Sequence, residues 1–133
     1  MNGTAGATIS VSALSVEAPD FTAKAAFQEP TMSARLDGTA DLNVKRALDD
    51  FLVKLHETAQ AQRAAEVVMD FRNLKFMNSS CLKGLVTWIC AVQGLPAQSQ
   101  YRIVLVSSPE RHWQKRSLRA LSCLARELVT IQT

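Results

Sequence analysis

The sequence has no hydrophobic run long enough to cross a membrane, and it has few of the residues that build disulfide or metal frameworks. Its longest apolar run, around Leu85 to Val92, is about half of the roughly 18 residues that a membrane span needs. We therefore expect no membrane insertion. Three cysteines, none in a Cys-x-x-Cys pair, fit reduced thiols in a cytosolic protein better than disulfides. Two histidines and no Cys/His cluster argue against a zinc site.

Strong charge imbalance is also absent, since the formal net charge is only +3. A mildly basic chain does not by itself indicate a nucleic-acid partner. Apolar residues make up 47% of the 133 residues and charged residues 20%, which excludes a disordered or collagen-like chain and suits one globular domain. Met1 to Ser10 has no positive side chain and no long apolar stretch, so we expect no secretory signal there.

The first third of the chain is dominated by alternating apolar residues. The pattern predicts a loose arm over 1–8, an extra edge strand over Ile9–Glu17, and a β-hairpin of Phe21–Phe27 and Met32–Leu36 that ends at Asp37-Gly38. Pro30 fixes its own φ and restricts Glu29, which places the hairpin turn between the two strands. We therefore divide the chain into an N-terminal arm over 1–20, containing the extra edge strand, and a domain over 21–133.

The remainder alternates helical and strand patterns. It predicts a helix over Val44–Arg63, a central strand over Ala65–Asp70 buried on both faces, a connection over Phe71–Asn78 anchored by Leu74 and Phe76, a helix over Ser80–Val92, a strand over Tyr101–Val106, a helix beginning near Pro109, and a last strand over Leu128–Ile131. Asp41 or Asn43 is expected to cap the first helix, and Asn78 or Ser79 the second. This order indicates an α/β domain with a small mixed sheet, parallel at its centre, and helices packed on it.

The segment Val67–Leu82 resembles the core of the STAS domains, the family of bacterial anti-sigma-factor antagonists. That family reads apolar strand, short loop, Phe-Met-Asp-Ser-Ser-Gly-Leu and apolar helix, and this sequence reads Phe-Met-Asn-Ser-Ser-Cys-Leu. Arg35–Asp41 resembles the family's Arg-Leu-x-Gly-x-x-Asp stretch before its first long helix. The order of elements agrees from about Phe21 to Ile131. Two positions depart, because Asn78 stands for the family's acid and Cys81 for its glycine.

The resemblance implies a protein-interaction module rather than an enzyme. Its implied partners are an anti-sigma factor or serine kinase of the histidine-kinase-like ATPase fold, and a serine phosphatase. It implies phosphorylation of Ser79 and a docking surface formed by the second helix and the loops beside its start, with the candidate residues Asp41, Asn78, Ser80, Lys83, Thr87 and Trp88. The change to Asn78 removes a charged hydrogen-bond partner of the serine. Cys81 is expected to add a side chain where a kinase approaches.

The same residues also admit plainer interpretations. Ser79 is a good helix cap whether or not it carries a phosphate. The face of the second helix that carries Trp88 is apolar beyond one core stripe, so it either meets a partner or is covered by another element of the domain.

Three other functions differ in how well the sequence supports them. Some STAS domains are small subunits that dock on a transporter ATPase without a phosphoswitch, and Asn78 suits that function as well. The cations between Arg111 and Arg126 suit a nucleic-acid patch, although a solvated helix face explains them better because no DNA-binding motif is recognised. Cys81 has no histidine placed to activate it, and no phosphate loop, nucleophile elbow or zinc motif is present, so we expect no catalytic residues and no cofactor.

Overall fold

The computed structural model describes residues 10–12 and 14–133. The arm predicted over 1–8 and the start of the strand predicted at Ile9 lie outside these residues. The elements are β1 (Ser10–Ser12), β2 (Ser15–Ala18), β3 (Phe21–Gln28), β4 (Thr31–Ala40), α1 (Lys45–Ala61), β5 (Glu66–Asp70), β6 (Leu74–Met77), α2 (Ser79–Gln93), a short 3-10 helix (Ala97–Ser99), β7 (Arg102–Val106), α3 (His112–Leu124) and β8 (Val129–Gln132).

The described strands form one mixed sheet in the order β1-β2-β3-β4-β5-β7-β8, and β6 pairs with β4 beside that path. The strands from β1 to β4 pair antiparallel, whereas β5, β6, β7 and β8 are added by parallel pairing. This confirms the predicted mixed sheet with a parallel centre. The edge strand expected over Ile9–Glu17 is, in the described residues, two short paired strands, and Val16 of β2 is fully buried.

β4 continues through Gly38 to Ala40, so the prediction that Asp37-Gly38 ends this strand is wrong. Its first half pairs with β5, and its second half pairs with β6 after a register shift between Gly38 and Thr39. Gly38 makes the continuation feasible because it adopts a φ of +94°, where a side chain would be strained. The segment predicted as a connection therefore contains a strand, β6.

One face of the sheet carries the core, and the three helices pack on that face. Val67 and Met69 of β5 are fully buried, whereas Val68 between them is only half-buried. The same alternation runs through β3, β4 and β7. The prediction that β5 is buried on both faces is therefore wrong, because no element in the described residues covers the second face. The short apolar run does lie at the centre of the sheet.

Helix boundaries differ from the sequence predictions where side chains bond locally. The side chain of Asp41 accepts a hydrogen bond from the backbone N–H of Asn43, and the cap position of α1 falls on Val44, which makes no side-chain cap bond. The expectation that Asp41 or Asn43 caps this helix is therefore wrong. α3 begins only at His112, and the Gln114 side chain accepts a hydrogen bond from the N–H of Ser108 in the segment before the helix.

Candidate functional site

The start of α2 is organised by Asn78, as the sequence predicts. Asn78 has extended backbone angles, and its side-chain oxygen accepts a hydrogen bond of 2.9 Å from the N–H of Cys81. A neutral amide therefore satisfies one of the N–H groups that the first turn of a helix leaves without a backbone partner. Ser79 follows as the first residue of α2 and is exposed, while Ser80 is half-buried.

The loop after β4 is joined directly to this helix start. The N–H of Asn78 donates to the C=O of Ala40 at 2.9 Å, and the thiol of Cys81 donates to the C=O of Asp41 at 3.4 Å. These bonds hold Asp41 beside the consecutive residues Asn78 and Ser79, although Asp41 lies almost forty residues earlier in the sequence. The structure thus brings together four predicted site residues, Asp41, Asn78, Ser79 and Ser80.

Cys81 points into the core and not toward the surface. Its side chain is fully buried, and burial raises the pKa of the thiol, so the neutral form persists. The expectation that Cys81 places bulk where a kinase approaches Ser79 is therefore wrong. The cysteine replaces the family's glycine without obstructing the exposed face of the helix.

Along α2, Ser79, Lys83 and Thr87 lie four residues apart and all three are exposed. This spacing places them on one stripe of the helix surface. Thr87 donates its hydroxyl hydrogen to the C=O of Lys83 at 3.1 Å, one turn back. We call the stripe of these three residues the α2 stripe.

Two exposed apolar side chains flank the start of α2, and the sequence analysis missed both of them as site residues. Leu42, in the loop after β4, is 68% exposed, and Phe76 of β6 is 48% exposed. Phe76 lies two residues before Asn78, and Leu42 follows the Asp41 that bonds Cys81. The sequence predicts Phe76 as an anchor of the connection, and that prediction is wrong because the side chain is exposed. These side chains give the region the apolar character that interfaces use.

Trp88 does not lie on the docking surface, and the prediction that it does is wrong. Its side chain is only 3% exposed, and its ring N–H donates to the hydroxyl of Tyr101 at 2.8 Å. That hydroxyl lies 2.7 Å from Nδ1 of His56 on α1. The second apolar face of α2 is covered by α1, which was the alternative that the sequence left open.

A groove of about 500 Å³ remains between α1 and α2. Lys83 and Thr87 stand on one side of it, while Lys45 and His56 line the other. Lys45 pairs with Asp49 at 2.6 Å, which raises the pKa of the ammonium group. Partial burial lowers the pKa of His56, opposed by the nearby carboxylate of Glu57. The α2 stripe therefore adjoins a groove in which the charge of Lys45 is paired with Asp49 and burial favours the neutral form of His56.

The comparisons with known proteins bear on the fold. No family model matches the sequence, and no curated protein matches it. Among solved structures, the crystal structure of an anti-sigma factor antagonist from Mycobacterium paratuberculosis superposes with a TM-score of 0.61, covering 86% of this chain and 88% of that chain at 17% identity. The chain has the STAS fold. The fold that the sequence resemblance implied is thereby confirmed.

A second solved structure is the unphosphorylated form of the anti-sigma factor antagonist SpoIIAA, at 22% identity with a TM-score of 0.48, covering 84% of this chain and 88% of that chain. Within the described part of this STAS-fold chain, none of the helices has the length and apolar character that crossing a membrane requires.

Proposed function

We propose that this protein is an anti-sigma-factor antagonist, or a related partner-switching regulator, that binds its partner through the start of α2 and is controlled by phosphorylation of Ser79. The partner is an anti-sigma factor or serine kinase of the histidine-kinase-like ATPase fold, and a serine phosphatase restores the binding form. The STAS fold, which the chain shares with an anti-sigma factor antagonist, supports this class of function. The protein acts as a substrate and binding module and catalyses no reaction itself.

The observation that carries the proposal is the position of Ser79. Its side chain is exposed at the first residue of a fifteen-residue helix, beside the exposed Leu42 and Phe76. A phosphate there adds a charge of about −1.5 to −2, which the helix N-terminus tolerates and a partner would have to desolvate. Phosphorylation would therefore change partner binding without unfolding α2. Lys83, one turn along the α2 stripe, adds a cation on the same side.

The test is a binding titration of the parent protein and two variants against each anti-sigma factor and serine kinase of this ATPase fold purified from the same host. Ser79→Ala is expected to bind like the parent. Ser79→Asp is expected to lose about 2 to 5 kcal/mol of binding free energy, roughly thirtyfold or more, because its carboxylate is buried without a partner. Aspartate is acceptable at a helix start, so the melting temperature should hold.

Ser99→Asp is the matched control, because Ser99 is also exposed but lies beyond the other end of α2, so this variant should bind like the parent. Mass spectrometry after incubation with kinase and ATP should place the phosphate on Ser79. Equal binding by all variants together with an unmodified Ser79 would reject the phosphoswitch.

A second candidate is a subunit that docks on a transporter ATPase without a phosphoswitch. Asn78 favours it, because a neutral amide serves as the cap of α2 where the antagonist family carries an acid. In that case the same surface around Leu42 and Phe76 binds the ATPase, and Ser79 is a plain helix-start residue. A complex with the ATPase that is insensitive to phosphatase treatment would select this function.

A further inference from the structure

The helix α3 carries an accumulation of positive charge that the described residues do not neutralise. Its first turn contains no acidic residue, and the ion pairs of the described chain all lie elsewhere. Lys115, Arg116 and Arg119 lie within α3, Arg111 is at its N-cap position, and Arg126 follows its end. Several of them sit near the N-terminus of the helix, whose dipole already favours an anion. An anionic partner would relieve this repulsion.

Beside these cations runs β8, the last strand of the sheet order. It pairs with β7 on one side, and no described strand lies on its other side. Ile103 and Ser107 donate their N–H groups to the C=O groups of Leu128 and Gln132, both at 2.8 Å. In a parallel strand, every second residue points its N–H and C=O groups to the same side. Leu128 and Gln132 point toward β7, so Ile131, the neighbour of Gln132, points its N–H and C=O groups away from β7. The backbone groups of Ile131 are therefore available at the outer edge, whereas the N–H of Val129 already donates to the C=O of Ala125 at 2.9 Å.

The sequence of β8 leaves this edge without the usual protection. Val129–Gln132 reads Val-Thr-Ile-Gln and contains neither a charge nor a proline. Edge strands are commonly protected by lysine, proline or a bulge, because their backbone groups otherwise pair with other chains. An unprotected, β-branched edge is suited to receive an additional strand.

A cleft of about 570 Å³ joins the two features. It lies between α3 and β8 and is lined by Lys115 and Arg119 on the helix and by Ile131 on the strand. Ser107 also lines it, is only 5% exposed, and makes no side-chain hydrogen bond to another described residue. The cleft therefore offers two cations and a hydroxyl beside an open strand edge.

We propose that the β8 edge and the adjoining α3 cations bind an extended acidic segment of a partner protein. The segment adds a strand to β8 through backbone hydrogen bonds to Ile131, and its carboxylates pair with Lys115 and Arg119. A second copy of the chain is disfavoured as the occupant, because edge-to-edge pairing would bring the α3 cations together. Nucleic acid is disfavoured because no aromatic side chain lines the cleft for base stacking.

The experiment titrates the ¹⁵N-labelled full chain with two short capped peptides, one alternating threonine and glutamate and the other alternating threonine and lysine. The acidic peptide should shift the amide resonances of Ile131 and Thr133 and slow hydrogen exchange at Ile131. The basic peptide should leave them unchanged. Binding should weaken as salt is added, because the charged groups are exposed.

Two sets of variants separate the backbone and charge contributions. Ile131→Pro removes an N–H that β7 does not use, so the fold should persist while the affinity for the acidic peptide falls at least about tenfold, and Ile131→Val should bind like the parent. Reversing both charges, Lys115→Glu with Arg119→Glu, should transfer binding from the acidic peptide to the basic one.

Several results would overturn the proposal. They are the absence of any shift at Ile131 with millimolar acidic peptide, equal binding of both peptides to the parent, retention of full affinity in Ile131→Pro, or shifts confined to the start of α2. Tighter binding of a short DNA duplex than of the acidic peptide at the same residues would assign the surface to nucleic acid instead.

Discussion

At the scale of single residues, Gly38 is the position where the backbone most restricts the choice of side chain. Its φ is +94°, and a Cβ built there would lie 2.0 Å from the backbone oxygen of Asp20. The oxygen cannot move freely, because it accepts the N–H of Thr39 at 2.7 Å. The close approach allows β4 to continue into its pairing with β6, which leads to the start of α2.

We predict that Gly38→Ala lowers the free energy of unfolding by roughly 2 kcal/mol or more, because it combines backbone strain with a clash against main-chain atoms. Urea denaturation measures the change. Gly94→Ala is the matched control, since Gly94 has a φ of −78° and a Cβ there would meet no atom closer than 3.4 Å. Equal stability of the two variants would show that β4 does not pass through Gly38 as described.

Residue-level predictions from the sequence succeeded for the cap of α2 but not for the cap of α1, which falls on Val44 instead of Asp41 or Asn43. The Asn78 cap depends on a side chain and an N–H three residues apart, so it is readable from the sequence. The inward direction of Cys81 depends on Asp41, forty residues away, and the burial of Trp88 depends on α1 and Tyr101. Such contacts have no signature in the local pattern.

At the scale of the element, the packing of α2 against α1 decides how Trp88 acts. Trp88→Ala should lower the free energy of unfolding by about 3 to 5 kcal/mol, because it opens a cavity and leaves the Tyr101 hydroxyl without a donor. Thermal and urea unfolding both report the loss. Thr87→Ala, on the exposed stripe one residue away, should stay within about 0.5 kcal/mol of the parent. A Trp88→Ala protein with unchanged stability and impaired partner binding would restore Trp88 to the docking surface.

Elements were predictable in proportion to their length and periodicity. The helical spacing of apolar residues located α1 to within two residues at each end. β6 is four residues long and has two exposed positions, so its pattern does not differ from that of a loop. The sequence also could not show whether β5 is buried on one face or on both, because a short apolar run fits either arrangement.

At the scale of the molecule, the fold assembles the candidate site from two chain segments that the sheet brings together. β4 and β6 are parallel neighbours, so the loop after one and the helix after the other emerge at the same end of the sheet. Asp41 and Leu42 thereby adjoin Ser79. β8, with α3 beside it, lies at one edge of the sheet. The sequence resemblance predicted the fold, and its assignment of Ser79 as the phosphorylated residue stays a prediction. The exposure of Leu42 and Phe76 became evident only in three dimensions.

The central claim is that the partner docks on the start of α2 and the loop after β4. Hydrogen–deuterium exchange of the full chain, alone and in complex with the proposed anti-sigma factor or kinase, tests this most directly. The account predicts slowed exchange in peptides covering 41–44 and 76–84, with the Ser79→Asp protein failing to show it. Protection in the complex that is absent from both segments and falls elsewhere on the chain would contradict the claim.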